Sequence, residues 1–86
     1  METLDDKVMA TISEVLGVPR EKVTPDAYLV EDLGSDSLDA VELALMLEDH
    51  FHTRLDDGVI LALVTVQDVI DVVRRLVETE QGGLNG

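Results

Sequence analysis

Ser37 is the hydroxyl in this chain best placed for chemistry. It follows Asp36 where a helical pattern begins, directly after Leu33-Gly34-Ser35. Backbone N–H groups and the positive end of the dipole make a helix N-terminus favourable for an anion such as a phosphate. A second reading stands beside this one: Ser35, Asp36 and Ser37 are also residue types that simply cap helices. The chain has no cysteine, which excludes disulfides, thiolate metal sites and cysteine nucleophiles. His50 and His52 bracket Phe51, with Asp49 and Asp56 nearby. A spacing of two does not put both rings on one helix face, so they read as solvated or dipole-stabilised residues at a helix C-terminus. Clustered acids would collect Ca²⁺ or Mg²⁺ only weakly, and no specific metal site is expected. No base for Ser37 is evident, so nothing assembles a nucleophile–base pair and an enzyme is not expected.

The elements that must position Ser37 follow from periodicity. Leu4, Val8, Ile12, Val15 and Leu16 recur at three- and four-residue steps, the signature of an amphipathic helix. Thr3 suits its N-cap, Asp5 and Asp6 its first turn, and Gly17 its end. Residues 17 to 36 then form a long connection with two prolines and two glycines. A loop of that length in so small a chain is often functional. Val23, Tyr28, Leu29, Val30 and Leu33 are expected to pin it to the core. A second helix is predicted from about Ser37 to Phe51, with Asp36 as N-cap and Asp39 three residues on. A short segment follows, around Asp56 to Leu63. The last helix is predicted to start near Thr65, paired with Asp68 in a capping box, with Val66, Val69, Ile70, Val73, Leu76 and Val77 facing inward. Arg74 and Arg75 are expected in its last turns, where they suit the dipole. Residues 81–86 read as a flexible C-terminal tail.

On a helical wheel at about 100° per residue, the second helix has two apolar stripes. Ala40, Leu43, Ala44, Leu47 and Phe51 form one, the expected core face. Leu38, Val41 and Leu45 form the other, rimmed by Glu42, Glu48 and Asp49, with Asp39 further round. A helix that only plugs a core needs one stripe. Scattered surface apolars are common, however, and give the bland account of the second stripe. Charge favours a docking face. No basic residue stands between Lys22 and Arg54, while the same stretch holds eight acids from Asp26 to Asp49. A solvated helix normally mixes signs and gains i,i+4 pairs. General solubility is the alternative explanation.

Composition narrows the classes. Eighty-six residues allow one small core. With 45% apolar and 29% charged residues the chain is globular rather than disordered. A net charge of −13 opposes nucleic acid and anionic membranes and favours basic partner surfaces. The longest charge-free run, Gly58 to Gln67, is too short to span a bilayer. Met1 to Asp6 is acidic where a secretion signal needs Lys or Arg, so a cytoplasmic location is expected.

Val30-Glu31-Asp32-Leu33-Gly34-Ser35-Asp36-Ser37-Leu38-Asp39, continued by Val41-Glu42-Leu43 and Leu47-Glu48-Asp49-His50-Phe51, closely resembles the acyl carrier proteins. Thr24-Pro25-Asp26 and Thr65 to Asp71 extend the likeness, which covers roughly Leu4 to Val77. The resemblance implies an all-α fold, a small four-helix bundle with a long first loop and a short third helix. It implies an acyl carrier domain over residues 1–80 and no catalysis by the chain itself. It implies that Ser37 carries 4'-phosphopantetheine, received from coenzyme A, whose thiol holds acyl intermediates as thioesters for fatty-acid or lipid biosynthesis enzymes. Asp36, Leu38, Asp39, Val41, Glu42, Leu45, Glu48 and Asp49 are then the partner-binding set. The implied partners are a phosphopantetheinyl transferase and acyl-transferring or elongating enzymes with basic patches, met by a monomer. A polyketide or secondary-metabolite carrier is one alternative, and an unmodified acidic docking module is another.

The sequence departs from the family at Val59 to Val64, six apolar residues in a row where more acids are usual. Alone, such a run fits a buried strand as well as a buried helix. Six residues cannot all face so small a core, so some are expected beside the acyl route. A larger acyl cavity, an apolar docking surface and neutral variation all fit. Small residues at Ala40, Ala44 and Ala62 leave room for a chain or simply pack helices closely.

Overall fold

The computed structural model describes residues 3–85. Thr3 opens the first helix, α1 (Leu4–Leu16): its Oγ1 accepts the Asp6 N–H at 3.2 Å, and the Asp6 carboxylate accepts the Thr3 N–H at 3.4 Å. Gly17 closes it at φ 67, a left-handed conformation that a Cβ would strain. The long connection holds one 3-10 turn, Arg20–Lys22. Then come α2 (Ser37–Phe51), α3 (Asp57–Ala62) and α4 (Val66–Asn85). The described residues contain four α-helices and one isolated bridge, which is the all-α bundle expected.

α1 packs against α2 and α4, and α3 leans on α2. Val8 and Ile12 of α1, Leu47 of α2 and Val66, Val69, Ile70 and Val73 of α4 are almost wholly buried. Burial stabilises each such aliphatic side chain by roughly 1.5–3 kcal/mol. The predicted inner positions of α1 and α4 therefore hold. On α2, Leu43, Ala44 and Leu47 are buried, with Ala40 and Phe51 packed at the margin.

The long connection is stitched to the start of α4. Tyr28 and Thr65 form an antiparallel bridge. Leu29 N donates to Val64 O at 2.9 Å, Val66 N to Ala27 O at 3.0 Å, and Gln67 N to Pro25 O at 2.9 Å. Val23, Leu29 and Leu33 pin the loop as expected, joined by Ala27. Tyr28 and Val30 do not: both are exposed, Tyr28 at the isolated bridge and Val30 in the turn that follows it.

Two further expectations are corrected. α4 runs as helix to Asn85. Arg74 and Arg75 consequently stand mid-helix rather than in the last turns, and Arg74 pairs with Asp5 at the start of α1 instead of serving the dipole. The apolar run divides. Its first four residues finish α3, and Leu63 and Val64 turn extended to reach the bridge. Only Ile60 of the six is buried.

Candidate functional site

Asp36 answers the ambiguity at Ser37. Its Oδ1 accepts the Asp39 N–H at 2.8 Å, and Asp39 Oδ2 accepts the Asp36 N–H at 3.2 Å. Both halves of the capping box are thus supplied by aspartates. Ser37 is the first residue of α2 and exposed, its hydroxyl not used for the cap. Ser35 donates its hydroxyl weakly to Asp36 O at 3.4 Å and its N–H to Leu29 O at 2.8 Å.

The approach to Ser37 is fixed from behind. Gly34 sits at φ 73 and donates to Val30 O at 3.0 Å, turning the chain toward α2 where an L-residue would be strained. Leu33 anchors that turn in the core. Asp32 Oδ2 accepts the Tyr28 N–H at 2.8 Å and steadies the same loop.

A cavity of about 390 Å³ opens beside Ser37. Ser35, Asp36 and Ser37 stand on its polar side. Leu29 and Val30 of the connection, Ala40 and Leu43 of α2, and Ile60, Leu61 and Leu63 form its apolar walls. Of the three small residues expected to make room, only Ala40 lines it; Ala44 is buried in the core and Ala62 is exposed. The walls contributed by Leu29, Ile60 and Leu63 carry no motif of their own. The bridge brings them together, and periodicity within one helix cannot show that.

The second stripe of α2 is solvent-facing: Leu38 is 65% exposed, Val41 43% and Leu45 60%. Glu42 and Asp49 are exposed beside it, and Asp39 is half-buried by its capping role. Glu48 is half-buried, and its Oε2 accepts the Leu55 N–H at 2.7 Å.

Both histidines are exposed at the C-terminal end of α2. His50 Nδ1 lies 3.1 Å from Thr11 Oγ1, which itself donates to Lys7 O at 2.8 Å. With that proton committed, the hydrogen-bond network assigns the proton of the His50–Thr11 contact to Nδ1. His52 closes α2 in a left-handed conformation, φ 52, donating to Glu48 O. Among the described residues no group of three or more potential ligands gathers for a metal. At the start of α4, Thr65 N–H first and Val64 N–H second hold the Asp68 carboxyl below its usual value.

An exposed hydroxyl at a helix head, beside an apolar cavity, is accessible to a covalently attached group. Residues 6–73 match the family described as the phosphopantetheine attachment site, and the chain belongs to that family. Three solved structures similar to it are acyl carriers. A protein assigned as an acyl carrier from Mycobacterium tuberculosis is 33% identical, with a TM-score of 0.77 over 84% of this chain and 96% of that one. An acyl carrier protein from Thermotoga maritima is 34% identical, with a TM-score of 0.73 and 85% of each chain covered. The apo doublet acyl carrier protein from prodigiosin biosynthesis is 25% identical, with a TM-score of 0.73 over 85% of this chain and 35% of that longer one.

Proposed function

We propose that this chain carries acyl intermediates as thioesters on a 4'-phosphopantetheine arm joined to Ser37. The observation that carries the proposal is the exposed Ser37 hydroxyl, left out of the capping box by Asp36 and set at the mouth of the cavity. The residues fit the group. A phosphodiester on Ser37 would lie at the N-terminus of a 15-residue helix, where the dipole favours negative charge. The arm supplies reach and a thiol; the chain supplies the attachment point, the apolar walls and the docking face. Ser37 needs no base of its own, because a transferase can activate it.

The docking face comprises Asp36, Leu38, Asp39, Val41, Glu42, Leu45, Glu48 and Asp49. Its apolar centre and carboxylate rim suit basic enzymes, met quickly and released quickly. The acidic α2, with Asp39 directly after Asp36-Ser37-Leu38, favours fatty-acid or lipid biosynthesis as the pathway. The 25% identity to a carrier of prodigiosin biosynthesis supports a secondary-metabolite pathway as the second reading.

The test is an intact-mass spectrum after incubation with coenzyme A and a broad-specificity phosphopantetheinyl transferase. The native chain gains one phosphopantetheinyl group and Ser37→Ala gains none. A folded, initially unmodified native chain that gains nothing, beside a control carrier that does, overturns the reading in favour of an unmodified docking module.

A further inference from the structure

Glu48 belongs to the acidic rim by spacing, yet its contacts set it apart. It receives three backbone N–H groups from the segment that leads to α3. Its carbonyl accepts from His52 and, at 3.2 Å, from Thr53. Its carboxylate reaches seven residues along the chain to accept the Leu55 N–H at 2.7 Å. Leu55 is itself buried at 7% exposure, and Asp56, the next residue, caps α3 by accepting the Gly58 N–H at 3.3 Å.

α3 has six residues. Helices shorter than about 12–15 residues are marginal alone, so α3 depends on what holds its ends. Among its described residues only Ile60 is buried, while Val59 and Leu61 are exposed. Its packing therefore supplies one apolar anchor inside the helix. Ile60 and Leu61, with Leu63 just beyond, are also walls of the cavity beside Ser37.

We propose that Glu48 is a positioning residue: its carboxylate clamps the α2–α3 connection and so holds α3 as the wall of that cavity. Its geometric role needs an acceptor oxygen, whereas a docking role needs a negative charge. Those two requirements separate in two variants. Glu48→Gln keeps an acceptor of the same length and loses the charge. Glu48→Ala loses both.

The experiment is amide hydrogen exchange on the unmodified full chain, native and both variants. Glu48→Ala is expected to speed exchange at Ile60 and Leu63 by about tenfold, with Val69 and Ile70 of α4 unchanged. Glu48→Gln is expected to restore native protection in α3. Unchanged α3 exchange in Glu48→Ala overturns the proposal, as does a Glu48→Gln variant no better protected than Glu48→Ala. Faster exchange throughout α4 would mean global destabilisation and also overturns it. The clamp does not depend on the carrier reading, but its effect on cargo does. On chains loaded with an octanoyl thioester, Glu48→Ala should hydrolyse faster than Glu48→Gln. Equal hydrolysis overturns the assignment to the cavity wall and leaves the attachment test on Ser37 untouched.

Discussion

Asp36 Oδ1 lies 2.8 Å from the Asp39 amide nitrogen, and this contact relieves Ser37 of any capping duty. The cap and the proposed attachment point are adjacent residues with separate tasks. Asp36→Ala should destabilise the chain by about 1 kcal/mol, the usual cost of losing an N-cap. In a domain of this size that lowers Tm by about 4–8 °C. Asp36→Asn, an equally good cap, should leave Tm near native. Thermal unfolding of both variants tests the separation.

Leu45 and Leu47 divide the two stripes of α2. Leu47 is fully buried and Leu45 is 60% exposed. Leu47→Ala should cost about 2–5 kcal/mol in urea unfolding. Leu45→Ala should stay within about 0.5 kcal/mol of native, yet slow phosphopantetheinyl transfer. Native transfer kinetics for Leu45→Ala would remove it from the docking face.

If acidic steering governs docking, the transfer rate should fall as salt rises, since screening shortens the reach of exposed charges. Glu42→Gln should lower the rate at low salt and converge on native at high salt. The Leu45→Ala deficit should persist at both. A salt-independent native rate would argue against steering.

Asp68 has a depressed folded-state pKa, caused first by the Thr65 N–H and then by the Val64 N–H. Its ordinary value is 3.8, so its stabilising contribution is fully present above that pH. The contribution is lost as pH falls through the lower folded value. The stability gap between native and Asp68→Asn should therefore be wide near about pH 6 and narrow on acidification below about pH 4. Urea titrations of both chains at the two pH values measure it. A gap that widens in acid would contradict the assigned direction.

Cavity occupancy can be read from cargo length. Long acyl chains on the arm should raise Tm more than an acetyl group, because more apolar surface leaves water. Ala40→Leu, which fills the cavity from α2, should reduce that difference. Equal stabilisation by short and long chains would count against sheltered cargo.

The helix caps at Thr3, Asp36 and Thr65 were legible in the sequence because each is a contact between residues three apart. The core faces of α1 and α4 were legible because one period governs them. The cavity was not, since its walls meet only after Leu29 bonds Val64 across the fold. The Val59 to Val64 run was ambiguous for a physical reason: an unbroken apolar stretch has no period, and its backbone in fact changes from helix to extended. Arg74 stands mid-helix because helical backbone runs on to Asn85, and periodicity alone does not mark that end. Glu48 shows the opposite limit. Its position on the wheel is right for a docking charge, and only the distance to Leu55 shows a second task.

The bridge between Tyr28 and Thr65 has a modular consequence. It gathers the two ends of the segment holding Ser37, α2 and α3 into one place, like the clasp of a purse. What lies between the ends can be treated as a cassette, and α1 with α4 as its holder. Cargo preference could then be moved between related chains by exchanging residues 30–63, provided Leu43, Ala44 and Leu47 still meet the holder.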